Sequence, residues 1–475
     1  MSAGSNARTA PVAATATQER STFTQAIKLK LRVPARLRNR ELVLLLFACA
    51  INGAAMALVQ LGTSGSLDIG MLLLGGGLAL LVLGLHVALR FVAAEADPFL
   101  LPIATLLNGL GIAEIYRIDI ADRNFGWASA GVRQIVLTGV ALVFALAVIL
   151  LIRNHRVLAR YRYIAMFTGI VLLLLPLLPE PIGRSEFGAR LWVNIFGFTF
   201  QPGELAKIAL AIFFAGYLVE SRDSLSLVGK KFLGMKFPRV RDLGPILVIW
   251  AASMGVLIFQ RDLGTSLLYF GLFLVMIYVA TGRASWVILG LTLFLGGAVV
   301  ASQTLSYVTG RFRGWLDPFN PDVYDSIGGS YQLVQGLFGL ANGGLVGTGF
   351  GQGRPDLVPL AQSDYIIASL GEELGLAGLF AILALYLTFV SRGFRIGFAG
   401  QDDFGRLLGV GLSFVVALQV FIVIGGVTRV IPLTGLTTPF LAAGGSSLLA
   451  NWIIVALLLR LSDTIRHQPR LVVEQ

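Results

Sequence analysis

Twelve long apolar runs dominate this chain of 475 residues, at about 41–62, 70–93, 98–116, 133–152, 163–179, 204–220, 243–260, 263–282, 285–305, 364–390, 405–427 and 438–460. Most are close to the ~20 residues an α-helix needs to cross the hydrocarbon core of a bilayer. In lipid a backbone finds no water to bond, so only helices and closed barrels span it. The period-two alternation of barrel strands is missing. The chain therefore reads as an all-α polytopic membrane protein with about 12 spans. Its composition agrees, with 56% of residues hydrophobic and 13% charged, against about a quarter charged in a soluble domain.

Lysine and arginine set the orientation. With the N-terminus inside, the cytoplasmic segments hold 26 of the 37 basic residues, as the positive-inside rule requires. Both termini are then cytoplasmic, and the polar stretch 306–363 before the tenth span faces outward. The net charge of +11 is a signal of topology and anionic lipid. Split among short loops, it does not indicate nucleic acid.

Residues 1–40 read as a basic cytoplasmic tail, unstructured over 1–27, where Ala, Thr and Ser dominate without periodicity. Residues 41–95 read as two accessory spans almost free of charge, 96–462 as the core that carries every polar motif, and 463–475 as a second tail. The polar lead and the length of the first run argue against a cleavable signal peptide. Cys49 is the only cysteine, which excludes an internal disulfide or a thiolate cluster, and its depth in the first run disfavours lipidation. His86, His155 and His467 lie outside the motifs, so no transition-metal site is expected. Walker and dinucleotide fingerprints are absent.

Five constellations fall on the outer side. The first is Gly188-Ala189-Arg190-Leu191-Trp192, followed by Gln201-Pro202-Gly203-Glu204 and Lys207. Pro202 suits a helix start and Glu204 its positive first turn. Glu204 and Lys207 share a face, so they make either a local ion pair or, with Arg190, a site for an anionic head group. The second is Gln260-Arg261-Asp262-Leu263-Gly264-Thr265, which either caps a tight hairpin or holds charges for a purpose. The third runs from Arg311 through Asp317-Pro318 and Tyr331-Gln332 with Gln335 to the glycines Gly343–Gly351. Those glycines serve either as turns or as a backbone cradle for phosphate.

The fourth constellation is Asp364 with Gly371-Glu372-Glu373-Leu374-Gly375. A carboxylate at the lipid boundary is a functional candidate by default; the competing reading is a helix N-cap. Glu372 falls just over two turns deeper, roughly on the same side. The fifth is Arg429 through Pro432, Gly435 and Pro439 to Gly444-Gly445-Ser446-Ser447, which reads as a broken, re-entrant segment. Acids, bases, glycines and aromatics on one face of a membrane fit an amphiphile with an anionic head and a lipid tail.

In this order and spacing the motifs resemble the SEDS family (shape, elongation, division and sporulation), which includes RodA and FtsW; the likeness covers about 98–461 and looks most like its actinobacterial RodA branch. The resemblance implies a ten-helix core that polymerises glycan strands from lipid II on the outer face of a bacterial plasma membrane, beside a class B penicillin-binding protein. The family's catalytic aspartate maps onto Asp364. Arg190, Trp192, Glu204, Lys207, Asp262, Arg311, Gln332, Gln335 and Glu372 are the expected substrate-binding positions. Arginine, lysine and, where one binds, a divalent cation such as Mg would stabilise the leaving undecaprenyl pyrophosphate. The chain departs from the family pattern at Val423, Ser363 and Ala442-Ala443. The competing functions are a lipid II flippase, which needs no base, and a non-catalytic scaffold.

Overall fold

The computed structural model describes residues 15–467 except 187, 196, 227–230, 233–234, 237–243 and 327–328, with side chains of the first helix from Arg36 on. The expected tails at 1–14 and 468–475, and most of the basic loop 227–243, lie outside the described residues.

Each apolar run falls on a helix. Ahead of the first strands come α1 (Thr15–Ser64), α2 (Ile69–Val92), α3 (Leu100–Ala121), α4 (Ala130–Leu151), α5 (Arg156–Arg160) and α6 (Arg162–Leu174). Beyond them come α7 (Pro202–Ser226), α8 (Gly244–Gln260), α9 (Leu263–Thr281) and α10 (Ala284–Thr304). The outer stretch is itself helical in part, as α11 (Ser306–Leu316), α12 (Pro321–Tyr324) and α13 (Tyr331–Gly343). The chain ends in α14 (Ile366–Ala399), α15 (Asp403–Val427) and α16 (Gly445–His467). Among the described residues, nine helices are long and apolar enough to cross a membrane. Residues 162–177 and 247–260 are shorter apolar helices, and α3 carries Glu114, Arg117 and Asp119 in its outer half.

Helix boundaries follow side-chain caps. Asp68 accepts from the Gly70 and Met71 N–H groups at 2.9 and 3.3 Å, Ser129 from Val132 at 3.2 Å, and Asp402 from Gly405 at 2.8 Å. Each cap satisfies a backbone donor that the first turn leaves unpaired. Gly282, at φ 67°, ends α9 in the left-handed conformation that glycine adopts freely.

Two features depart from the sequence reading. α1 begins at Thr15, so helix extends into the segment read as unstructured; Ala16, Gln18, Glu19, Arg20, Gln25 and Ala26 in that stretch favour helix. The helical fold also carries a three-stranded antiparallel sheet that the sequence reading does not include, β1 (Gly183–Glu186), β2 (Ala189–Ile195) and β3 (Phe198–Phe200). Gly188 and Gly197 stand in its two turns at φ 80° and 86°. The strands are short, and Leu191-Trp192-Val193-Asn194-Ile195 shows no clean apolar-polar alternation to mark one.

The core is one apolar cluster shared by the membrane helices. α14 packs on α15, α16 on α4, α7 on α6, and the accessory α1 on α3. Between α15 and α16 the chain stays irregular and largely buried over 428–444. Such backbone is tolerated at depth only if its polar groups find partners, and side chains from the surrounding helices supply them. Asn108 donates to the Phe440 carbonyl at 3.3 Å, Gln134 to Ala442 at 3.0 Å, and Gln419 to Thr437 at 2.8 Å. Tyr386 donates to the Pro439 carbonyl. The expected broken segment is therefore present between α15 and α16, and it organises the site.

Candidate active site

Asp364 lies two residues ahead of α14. It does not cap that helix: the N-cap position is Tyr365, with no side-chain cap bond. Among the described residues nothing donates a hydrogen bond to the Asp364 carboxylate, although the residue is largely enclosed. Burial pushes its carboxyl up to about 6; the Arg311 charge opposes this and the Asp262 charge adds to it.

Arg311 projects from α11 and is anchored by an Nη1–H bond to the Leu433 carbonyl at 3.1 Å. Its Nη2 and the Asp364 Oδ2 each lie 3.8 Å from where a Cβ on Gly435 would sit. Cation and carboxylate thus both approach one glycine, and among the described residues they form no ion pair. Gly435 is held at φ 80°, a conformation costly for any side chain. A second arginine secures this arrangement. Arg429 donates to the Trp315 and Leu316 carbonyls at 2.8 Å each, and the Trp315 indole N–H returns a bond to the Arg429 carbonyl at 3.1 Å. This reciprocal clamp ties α11 to the irregular segment and so sets Arg311 against Asp364.

Asp262 caps α9 through the Thr265 N–H at 2.8 Å, which supports the hairpin reading of that motif. Its carboxyl is also raised, chiefly by burial, with the Thr265 bond and Arg311 pulling down and Glu204 pushing up. Asp262, Glu204, Arg311 and Asp364 therefore share one electrostatic neighbourhood.

Glu204 and Lys207 form the ion pair their spacing allows, at 2.6 Å. Lys207 is fully buried and also donates to Gln419 Oε1 at 2.9 Å and to Asn451 Oδ1 at 3.4 Å. All three of its N–H groups are thus directed at protein acceptors. Thr437 joins the network through Glu204 at 3.4 Å and Ser447 at 3.0 Å. Gln419 and Asn451 were not picked out in the sequence, although a lone amide inside an apolar span is itself a signal.

The remaining expected positions scatter. Arg190 is exposed on β2, and Trp192 is partly buried opposite Arg184 on β1. Gln332 donates to the Pro359 carbonyl at 2.7 Å, and Gln335 to the Tyr324 hydroxyl at 3.1 Å. Both hold the outer helices to their neighbours. Glu372 is buried and accepts from Asn342 at 2.8 Å, so the structure separates it from the surroundings of Asp364. The glycine loop cradles an anion, but the anion is Glu373. The Gly351 and Gly353 N–H groups donate to its carboxylate at 2.9 and 3.3 Å, and Arg117 adds a bond at 3.0 Å.

Beside the site lies an apolar cavity of about 420 Å³ between α8, α9, α10 and α15, reaching Phe312, Pro432 and Thr434. The segments that carry Arg311 and Gly435 therefore border an apolar space.

Comparison with known proteins agrees with this geometry. A family model for FtsW, RodA and SpoVE, described as "Cell cycle protein", matches residues 98–467. The chain is 49% identical over 446 residues to peptidoglycan glycosyltransferase RodA of Mycobacterium tuberculosis, covering 92% of this chain and 93% of that one. A crystal structure of a variant of the Thermus thermophilus rod shape determining protein RodA superposes with a TM-score of 0.55 at 25% identity, covering 79% of this chain and 99% of that one. A peptidoglycan synthase complex contains a chain of the same fold, with a TM-score of 0.59 at 23% identity over 78% of this chain and 99% of that one.

Proposed function

The chain belongs to the FtsW, RodA and SpoVE family, and from that premise we infer that it is a peptidoglycan glycosyltransferase that polymerises lipid II on the outer face of the plasma membrane, with both termini in the cytoplasm. The observation that carries the mechanism is the Asp364 carboxylate. Among the described residues nothing donates a hydrogen bond to it, its pKa is raised to about 6, and Arg311 approaches the same glycine.

A sugar hydroxyl is a poor nucleophile until its proton is removed. Asp364 takes that proton as the hydroxyl oxygen attacks the anomeric carbon of the second lipid-linked sugar. The bond from that carbon to the pyrophosphate oxygen breaks, and the polyprenyl pyrophosphate leaves. A carboxyl of raised pKa is a better proton acceptor at neutral pH than an ordinary one, and such positioned bases contribute about 10²–10⁴-fold. Arg311 supplies oriented positive charge to the departing pyrophosphate. Its Nη2 lies on the Asp364 side of Gly435, while Nη1 is held by Leu433. The apolar cavity accommodates part of a polyprenyl tail.

The other residues take graded roles. Arg190 and Trp192, on the outer sheet, meet the head group as it approaches. Glu204, Lys207 and Asp262 set the charge and shape of the floor, and Gln332, Gln335 and Glu372 position the outer helices. Among the described residues no three His, Cys, Asp or Glu side chains gather as a ligand set, so no step is assigned to a divalent cation. The fold shared with a chain of a peptidoglycan synthase complex supports a class B penicillin-binding protein as partner, and the likeness to RodA supports a role in elongation.

Purified protein incubated with lipid II, with and without a class B partner, tests the reading by glycan length on a gel. Wild-type protein yields polymer and Asp364→Asn yields none. Polymer from Asp364→Asn at the wild-type rate would overturn the base assignment. Transbilayer movement of labelled lipid II without polymer would favour the flippase.

A further inference from the structure

The half-helix that carries Asp364 is not held by helix continuity. At Gly375, φ 67° and ψ −174° break α14, so the hydrogen-bond ladder between Ile366–Leu374 and the rest of the helix is interrupted. The glycine loop takes up the freed groups. Thr348 and Gly349 N–H groups donate to the Glu372 and Glu373 carbonyls at 3.0 and 2.9 Å, while Leu376 and Ala377 donate to the Gly344 and Leu345 carbonyls at 2.9 and 3.1 Å. A helix this short has little stability of its own. Its direction, and with it the place of Asp364, is therefore set by the loop.

Glu373 fastens the loop to the half-helix. Its buried carboxylate takes the Gly351 and Gly353 N–H groups together with Arg117 of α3. Arg117 also donates to the Gly353 carbonyl at 2.7 Å. On the far side the same loop rests on the outer end of α1. A Cβ on Gly62 would lie 2.5 Å from the Phe350 carbonyl oxygen, and one on Gly351 would lie 3.1 Å from the Val59 carbonyl oxygen. Gln352 donates to the Gly62 carbonyl at 2.9 Å. Glycine against glycine is the only packing that brings the two backbones this close.

We propose that Glu373 is a positioning residue for Asp364, and that the outer end of the accessory helix α1 braces the loop through which it acts. The proposal rests on the reading of Asp364 as the base. It gives the accessory hairpin, which lies outside the matched family region 98–467, a part in catalysis that needs no contact with substrate. The route runs from Gly62 to Gly351, through the Glu373 carboxylate to the half-helix, and along it to Asp364.

Full-length protein carrying Gly62→Val, Glu373→Gln or Gln352→Ala is assayed with lipid II beside Asp364→Asn, recording kcat, KM and Tm. Misplacement of a reacting group acts on kcat and not on substrate binding. Gly62→Val and Glu373→Gln are expected to lower kcat by about tenfold or more with KM nearly unchanged. Gln352→Ala, which removes one exposed bond, is expected to lower kcat less. Gly62→Val decides the matter if Glu373→Gln fails to fold, because Gly62 stands at the end of α1, outside the matched family region 98–467. Wild-type kcat in Gly62→Val overturns the bracing role. A kcat loss in Glu373→Gln that merely follows a fall in Tm overturns the positioning role. Polymer from Asp364→Asn at the wild-type rate sinks the base reading itself, and the role given to Glu373 goes with it.

Discussion

Asp364 and Glu373 stand at opposite ends of one short half-helix and meet opposite treatment. Glu373 is buried and accepts from two backbone N–H groups and an arginine. Among the described residues Asp364 accepts from none, and its arginine is held by the Leu433 carbonyl. A carboxylate whose lone pairs are occupied is fixed in charge and place, and so serves as structure. One that is desolvated but unoccupied is left with proton affinity to use. Hydrogen-bond satisfaction, more than sequence position, separates the scaffold acid from the reactive one.

The strongest way to break that contrast is to remove each charge in turn. Asp364→Asn should cost the polymerisation rate about 10²–10⁴-fold with Tm unchanged or higher, because it relieves a desolvated charge that no bond compensates. Arg117→Met should act the other way round. It strands Glu373, and beside it Glu114, which is buried with no hydrogen-bond partner among the described residues. Losing one partner of a buried pair typically costs about 3–5 kcal/mol, so the thermal midpoint in detergent should fall well before any change in substrate KM. A stable Arg117→Met protein would show that Glu373 is not held as described.

The sequence made the first acid legible and obscured the second. Asp364 stood out because a charge at the edge of an apolar run has few harmless explanations, and the fold class followed from run length alone. Lys207 was singled out as well, yet its saturation by Glu204, Gln419 and Asn451 depends on three helices meeting, which spacing along the chain does not encode. The glycine run Gly343–Gly351 read either as turns or as a phosphate cradle; the N–H groups of Gly351 and Gly353 hold an internal carboxylate. That the anion is an internal glutamate follows from the break at Gly375, which the helical periodicity of α14 conceals. The sheet at 183–200 was missed because its strands are shorter than the window in which alternation becomes visible.

A smaller effect sharpens the contrast through pH. A general base must be deprotonated, so kcat/KM should fall below pH about 6, by about tenfold per unit, and level off above it. The charged groups that face Asp364 are Arg311 and Asp262. Arg311 lowers the Asp364 pKa, so Arg311→Gln should move the acid limb to higher pH. Asp262 raises it, so Asp262→Asn should move the limb lower. Opposite shifts in the two variants would locate the titrating group between them. A limb that stays fixed in both would assign it elsewhere.

The smallest expected effect lies at Gly435. A Cβ there would stand 3.8 Å from both Arg311 Nη2 and Asp364 Oδ2, an ordinary contact, so Gly435→Ala meets no steric wall. Its cost comes from the backbone, because φ 80° lies in the left-handed region, where a side chain costs roughly 1–2 kcal/mol. That strain is relieved by a shift of the irregular segment, which also carries the carbonyl anchor of Arg311. Gly435→Ala should therefore lower Tm slightly and move the acid limb in the same direction as Arg311→Gln, by less. A fall in Tm with an unmoved limb would mean that Arg311 keeps its place by the Trp315–Arg429 clamp alone, and that Gly435 serves the turn and not the charge.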